Sequence, residues 1–147
     1  MEIKVKTQYL ELDKKPFYLE SGGYLASVQV AYEIYGEMNK DKSNVILVLH
    51  AFSGDAHASG FHDGDEKAGW WDNVIGPNKA IDTNKFAVIC TNTLGGCKGT
   101  TGPISVNSKT KKRYAMTFPE ITIKDMVNVQ KTFLEQLGIT KLVSVIG

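Results

Sequence analysis

The stretch that decides the fold is Val45-Ile46-Leu47-Val48-Leu49-His50-Ala51-Phe52-Ser53-Gly54-Asp55. Its first five residues are apolar without alternation, which is typical of a strand covered on both faces in a parallel sheet. The apolar run breaks at His50 into small and polar residues. The stretch therefore predicts a buried parallel strand followed by a loop at its carboxyl end, where α/β sheets place their chemistry.

Two further apolar runs, Phe86–Cys90 and Leu142–Ile146, predict two more buried strands. Between them, Thr122 and Asp125 resemble a capping box, apolar residues follow at helical spacing, and Gly138 ends the helix. Strand, loop, strand, helix and strand in this order predict an α/β fold with a doubly wound sheet.

The amino-terminal region predicts a different element. Phe17–Leu19 and Leu25–Tyr35 flank the turn residues Ser21–Gly23, and the second run alternates between apolar and polar residues. This pattern favours an antiparallel hairpin. The combined prediction is a hairpin that leads into a mostly parallel sheet flanked by helices.

Composition excludes several classes of protein. The chain has 147 residues, of which 42% are hydrophobic and 22% are charged, and its formal net charge is +1. Near-neutral charge gives no reason to expect nucleic acid or an anionic membrane as a partner. There is no apolar run of about 18 residues and no signal-peptide pattern at the start. Because the two cysteines are too few for a disulfide framework, we expect a cytoplasmic protein.

Three loops follow the three predicted buried strands. In the first, Ala51 and Gly54 would let the backbone approach a substrate, although a plain strand-to-loop turn is the simpler interpretation of these residues alone. The second, Asn92–Pro103, has four glycines and a proline and predicts a closely packed active-site wall; it does not match the phosphate-binding GxxxxGK[ST] pattern. The third loop would follow the strand Leu142–Ile146. There Gly147 either ends the strand or begins a G-x-S-x-G turn that would expose a nucleophilic serine.

Rare features in a fixed order carry a family resemblance. They are His50–His57 (HAFSGDAH), Trp70-Trp71-Asp72, Ile75-Gly76-Pro77, Ile81-Asp82-Thr83 and Leu94-Gly95-Gly96-Cys97. With them, the chain from Val28 onward closely resembles the homoserine O-acetyltransferases of the α/β-hydrolase superfamily.

The resemblance implies the N-terminal half of an α/β-hydrolase fold, with residues 1–147 forming a partial core domain that ends before the catalytic serine. It implies transfer of an acetyl group from acetyl-CoA to the side-chain hydroxyl of L-homoserine through a serine acyl-enzyme, a step toward methionine. Acetyl-CoA would be a co-substrate, with no bound cofactor, and the intact protein would be a homodimer.

The resemblance also assigns site residues. The backbone N–H of Phe52 would be one of two oxyanion donors. The loops lining the substrate pocket would contribute Ala51, Ser53, Gly54, Asn92, Leu94, Gly95 and Gly96.

The alternative functions are a related succinyl- or serine-specific acyltransferase, or a non-catalytic truncated fragment. Without the triad, residues 1–147 alone are expected to be inactive.

Two further groups of residues could form a metal site or a CoA-binding site. The histidines and aspartates between residues 50 and 65 match no common zinc spacing, so we expect no metal site. These residues are His50, His57, His62, Asp55, Asp63 and Asp65. Trp70 and Trp71 could stack on the adenine of CoA, but paired tryptophans are more often packing residues, and we expect them to pack against the sheet.

Overall fold

The structure is a computed structural model, and it describes residues 3–147. Its strands are β1 (Gln8–Glu11), β2 (Phe17–Tyr18), β3 (Tyr24–Leu25), β4 (Gln29–Tyr35), β5 (Val45–Val48), β6 (Ile75–Gly76), β7 (Ile81–Asp82), β8 (Ala87–Thr91) and β9 (Ser144–Ile146). A 3-10 helix covers Ala115–Thr117, and an α-helix, α1, covers Ile123–Gln136. Neither helix of the described range has the length and apolar character of a membrane-spanning segment.

The main sheet has five strands in the order β1-β4-β8-β5-β9. Strand β5 lies between two parallel neighbours, with Val45 opposite Ala87 of β8 and Ile46 opposite Ser144 of β9. Strand β4 runs antiparallel to β8. The α/β prediction and the parallel pairing of the three apolar runs are therefore confirmed, in a mixed sheet with one α-helix among the described residues.

The predicted hairpin is present but shorter than expected. Strands β2 and β3 pair antiparallel across the Ser21–Gly23 turn, and Gly22 has a φ of 86°. The single strand predicted over Leu25–Tyr35 is divided, because β3 belongs to the hairpin and β4 belongs to the main sheet.

Helix α1 begins and ends as its sequence predicts. The Thr122 side chain accepts a hydrogen bond from the Asp125 N–H, and the Asp125 side chain accepts one from the Thr122 N–H. These two bonds form a reciprocal capping box that satisfies donors left unpaired at a helix start. After the helix, Gly138 adopts a φ of 73°, a conformation that favours glycine.

Strand β9 corrects one expectation. It was predicted to be buried on both faces, but Val145 is 54% exposed and its neighbours in the strand are only half-buried. Among residues 3–147 it is the last strand in the order and pairs with β5 alone. An apolar run predicts a strand correctly here, while burial depends on what covers it.

Residues 3–147 divide into two compact units. The first unit contains residues 3–8, 32–91 and 139–147. Its hydrophobic core contains the buried residues Tyr35, Ile46, Val48, Ala58, Ile75, Ile81, Val88 and Cys90. The second contains residues 9–31 and 92–138, in which α1 buries Val129, Phe133 and Leu134. The assignment of 1–147 to one partial core domain stays a prediction.

Candidate active site

The loop after β5 forms a tight turn at the carboxyl end of that strand. The Gly54 N–H donates to the Ala51 carbonyl over 2.8 Å, which closes a turn with Phe52 and Ser53 at its centre. Phe52 is fully exposed, with a relative accessibility of 107%. Among residues 3–147 its backbone N–H has no acceptor, so this donor is available to a ligand.

The turn needs glycine at position 54 for close packing rather than for a left-handed backbone. Gly54 does not have a positive φ. A Cβ added there would lie 3.0 Å from the His50 Cβ and 3.2 Å from the Ala51 oxygen. Gly54 is thus closely packed within the loop itself, and the approach of a substrate to this backbone stays a prediction.

A tryptophan fixes the residue that follows the turn. Trp70 Nε1 donates to the Asp55 carbonyl over 2.9 Å, and the Asp55 carboxylate accepts from the His57 N–H over 3.0 Å. The Trp70 ring stacks on Trp71 with centroids 5.4 Å apart, and Trp71 packs against the core of the first unit. Trp71 therefore packs against the core as expected, whereas Trp70 is 43% exposed and packs on Trp71.

Gly147 lies beside the base of this turn. The Leu49 N–H donates to the Ile146 carbonyl over 2.8 Å, which extends the parallel pairing of β5 and β9. A Cβ on Gly147 would lie 2.9 Å from the Leu49 Cβ. The carboxyl ends of β5 and β9 are thus adjacent, and a side chain at position 147 would collide with the chain that leads into the turn.

The glycine-rich loop Asn92–Pro103 belongs to the second unit and is tightly ordered by hydrogen bonds. Thr100 Oγ1 donates to the Asn92 carbonyl over 2.7 Å and accepts from the Ala31 N–H over 2.9 Å. The Asn92 side-chain amide donates to the Lys98 carbonyl over 2.7 Å. The loop is compact and closely packed, as its composition predicts, and its role as an active-site wall stays a prediction.

The four residues of this loop that were assigned to the substrate pocket differ in exposure. Asn92 and Leu94 are buried, Leu94 to 2% accessibility, whereas Gly96 is exposed and Gly95 is half-buried. A Cβ on Gly95 would lie 2.5 Å from Ile121 Cδ1. Leu94 therefore serves the core of this loop, and the glycines are the members that present backbone at its surface.

The Trp-Trp-Asp segment contains a structural carboxylate. Asp72 accepts from Ser59 Oγ over 3.0 Å and from the Gly60 N–H over 2.9 Å, and it pairs with Lys79 Nζ at 3.0 Å. Burial raises the pKa of Asp72, but the hydrogen bonds from Gly60, Lys79 and Ser59 outweigh burial and hold it below its ordinary value. This carboxylate joins residues 59–60 to the segment 72–79 of the first unit.

Glu33 is the polar residue of this region that sequence reasoning missed. Its carboxylate is 1% accessible and accepts four hydrogen bonds, from His57 Nδ1, His62 Nε2, Tyr35 Oη and Thr7 Oγ1, at 2.8–3.0 Å. Its alternation pattern in β4 marks it as a polar position, but nothing in the sequence shows that partners 24 and 29 residues away meet it.

The cysteine of the first unit is not reactive. Cys90 is buried in β8, and burial, together with the negative charges of Glu33 and Asp55, raises its pKa to about 12. Because the thiolate is the nucleophilic form, a thiol held protonated in this way is a packing residue. Both cysteines are free.

Comparison with curated proteins gives close relatives. The chain is 59% identical over 143 residues to a homoserine O-acetyltransferase of Methanohalophilus mahii, a match that covers 97% of this chain. It spans 29% of the length of that relative. No family model matches the chain.

The chain is a homologue of the homoserine O-acetyltransferases.

Solved structures agree on the fold. A homoserine O-acetyltransferase from Bacillus anthracis superposes with a TM-score of 0.88 at 43% identity, covering 97% of this chain and 39% of that one. The esterase E22 superposes with a TM-score of 0.87 at 45% identity, covering 97% of this chain and 40% of that one. The chain therefore has the fold of the amino-terminal part of an α/β-hydrolase, and an acyltransferase and an esterase resemble it equally well over this segment.

Proposed function

We propose that the full-length protein transfers an acetyl group from acetyl-CoA to the side-chain hydroxyl of L-homoserine. Close relatives named homoserine O-acetyltransferase support this proposal. The reaction would proceed in two stages: a serine attacks the thioester and releases CoA, and the hydroxyl of homoserine then attacks the acyl-enzyme. Each stage passes through a tetrahedral oxyanion that needs hydrogen-bond donors.

The single observation that carries the proposal is the unused N–H of Phe52. It sits in a turn whose closure requires the Gly54–Ala51 hydrogen bond, at the carboxyl end of a parallel strand. A backbone donor held in this way would bind an oxyanion without reorganising as charge develops. Ala51, Ser53 and Gly54 would shape the approach to it.

The nucleophile would come from a turn that begins at Gly147. Packing of Gly147 against Leu49 supports this position, because it puts the start of such a turn beside the strand that leads to Phe52. In a G-x-S-x-G turn, the N–H after the serine is the second oxyanion donor. The triad Asp and His would likewise come from outside residues 1–147, so we propose that these residues alone do not catalyse the reaction.

Several finer statements belong to the same proposal. The reaction would need no resident cofactor, since CoA leaves as a thiolate and the serine carries the acetyl group. We place the protein in the cytoplasm, as a homodimer, at an early step toward methionine. Light scattering of the full-length protein would test the homodimer, and growth without methionine after gene deletion would test the pathway.

Hydrolysis is the second candidate, favoured by the structural match to esterase E22. Water would then replace homoserine as the acceptor in the second stage. Succinyl-CoA as donor and L-serine as acceptor are the closer alternatives to the main proposal.

One experiment separates these candidates. The full-length protein is mixed with acetyl-CoA or succinyl-CoA, each with L-homoserine, with L-serine or with buffer alone, and free CoA and the O-acyl product are measured. We expect homoserine-dependent release of CoA from acetyl-CoA with one O-acetylhomoserine formed per CoA. Equal CoA release in buffer alone would identify a hydrolase instead.

A further inference from the structure

Four side chains of the first unit form one cluster. Glu33 comes from β4, and His57, His62 and Asp65 come from the segment that follows the Ala51–Gly54 turn. Ligand atoms of Glu33, His57 and His62 lie within 4.8 Å of one another. The two imidazole rings face each other with centroids 3.9 Å apart.

Glu33 fixes which nitrogen of each ring carries the proton. His57 Nδ1 lies 3.0 Å from one carboxylate oxygen of Glu33, and His62 Nε2 lies 2.8 Å from the other. The same carboxylate also accepts from Tyr35 Oη at 2.8 Å and from Thr7 Oγ1 at 2.9 Å, so each of its oxygens already faces a hydroxyl donor and acts as an acceptor. The nitrogen of each ring that faces Glu33 must therefore donate its N–H. In a neutral imidazole the second nitrogen then carries a lone pair and no proton.

Both lone pairs face the same oxygen. His57 Nε2 lies 3.6 Å from Asp65 Oδ2, and His62 Nδ1 lies 3.5 Å from the same atom. His57 Nε2 is buried and has no hydrogen-bond partner among residues 3–147. Two lone pairs and a carboxylate oxygen that face each other without a proton between them are unfavourable unless a cation joins them.

The separations fit a tetrahedral metal site. With metal–ligand distances of about 2.0–2.2 Å, ligand atoms of a tetrahedral zinc site lie about 3.4 Å apart. The two nitrogen-to-oxygen separations at Asp65 match this value, whereas the 2.8 and 3.0 Å contacts at Glu33 are hydrogen-bond lengths. Glu33 is therefore the group that orients the rings, and Asp65 completes the ligand set.

We propose that His57 Nε2, His62 Nδ1 and Asp65 Oδ2 bind one divalent transition-metal ion, with Zn²⁺ as the favoured occupant. Two imidazoles and one carboxylate without a thiolate suit zinc and its first-row neighbours. Glu33 holds both imidazoles by their second nitrogens, the arrangement in which a carboxylate supports histidine ligands of zinc. Three protein ligands leave a fourth position for water.

The spacing of these residues along the sequence predicts no metal site, whereas their arrangement in the folded protein favours one. The proposed metal site does not depend on the proposed acetyl transfer. The ligands are separated by four and two residues in an irregular segment, and the supporting Glu33 lies 24 residues before His57. The ion would join the segment 57–65 to β4. The competing arrangement is a pair of protonated histidines between two carboxylates, which would place two positive rings 3.9 Å apart.

The test uses the full-length protein without an affinity tag, stripped with a chelator and dialysed. Zn²⁺ is added in a calorimetric titration, and Co²⁺ is added in a parallel absorption titration. We expect one equivalent of Zn²⁺ to bind, a rise in Tm on zinc loading, and the strong visible absorption of four-coordinate Co²⁺.

Two matched variants locate the site. Asp65→Asn should weaken zinc binding at least tenfold and abolish the cobalt absorption, and Glu33→Gln should weaken zinc binding about 10–100-fold through the loss of ring orientation. Asp63→Asn is the control, since Asp63 lies in the same segment, and its fully exposed carboxylate pairs only with Lys4 among residues 3–147. Zinc binding without saturation at one equivalent, or equal affinity in Asp65→Asn and Asp63→Asn, would overturn the proposal and leave the protonated pair.

Discussion

The turn at Ala51–Gly54 and the carboxylate of Glu33 belong to the same compact unit, yet they are held in opposite ways. One backbone hydrogen bond closes the turn, and the N–H of Phe52 at its centre has no acceptor among residues 3–147. The carboxylate of Glu33 is buried and accepts four hydrogen bonds. A group that stabilises a developing charge must keep a donor unused, whereas a buried structural carboxylate needs every partner.

Replacing the carboxylate of Glu33 should give the largest effect. Glu33→Gln puts an NH₂ group where the buried donors of His57 and Tyr35 now find an acceptor. We expect the free energy of unfolding of the full-length protein to fall by about 3–5 kcal/mol, the usual result of removing one partner of a buried charged network. Urea unfolding measures this, and Glu37→Gln, at an exposed position two residues after β4, is the control with a change below about 0.5 kcal/mol. Equal stability of the two variants would show that the network is not structural.

Crowding the turn should damage activity more than stability. In Gly54→Val the added carbons meet His50 and Ala51, which displaces the Phe52 N–H. We expect kcat of the proposed acetyl transfer to fall about 10²–10³-fold, as when an oxyanion donor is lost. Thermal unfolding should change little, because the turn is exposed.

The control for this variant is Gly23→Val. Gly23 lies in the β2–β3 turn, lacks a positive φ, and a Cβ there would make only ordinary contacts of 3.6 Å or more. It should keep wild-type turnover. Wild-type turnover in Gly54→Val as well would show that the turn does not shape the acyl site.

A smaller stability effect is expected at the Trp-Trp-Asp segment. Asp72→Asn removes the charge that Lys79 pairs with and weakens the bonds from Ser59 and Gly60. We expect a loss of about 1–3 kcal/mol in urea unfolding, the usual cost of leaving buried polar groups unsatisfied. Asp63→Asn, with its exposed carboxylate, is the matched control. A loss no larger than that of the control would remove Asp72 from the structural network.

The smallest effect is a dependence of stability on pH. The pKa of Glu33 is lowered in the folded state, because its hydrogen bonds outweigh burial. The unfolded chain therefore binds more protons, so this stabilisation is complete above the unfolded pKa of about 4.3 and is lost as pH falls through the lower folded value. Urea unfolding from about pH 6 to about pH 3 should show a shallower fall in Glu33→Gln than in wild type. Parallel pH profiles would contradict the assignment.

The features that sequence predicts best here are local ones. Apolar runs identify β5, β8 and β9, and Thr122 with Asp125 identifies the start of α1, because each signal lies within a few neighbouring residues. The exposure of Val145 could not be predicted, since a run of apolar residues does not say what covers it. The division of Leu25–Tyr35 between two sheets was missed for a similar reason: alternation does not name a pairing partner.

The candidate site shows the same limit. Family resemblance assigns Phe52 and the glycines of Asn92–Pro103 to the site. The Phe52 N–H has no acceptor among residues 3–147, and its oxyanion role stays a prediction. The Glu33 network was missed because three of its four partners lie 24–29 residues away along the chain and meet it only in the folded protein. Hydrogen bonds between distant side chains leave no periodic signal in a single sequence.

The most direct test of the central claim is the initial-rate pattern of the full-length protein with acetyl-CoA and L-homoserine both varied. The proposed mechanism puts an oxyanion donor at Phe52 beside a serine that carries the acetyl group between two half-reactions. It predicts parallel lines in double-reciprocal plots, with CoA released before homoserine reacts. Intersecting lines would mean direct transfer between two bound substrates and would contradict the acyl-enzyme.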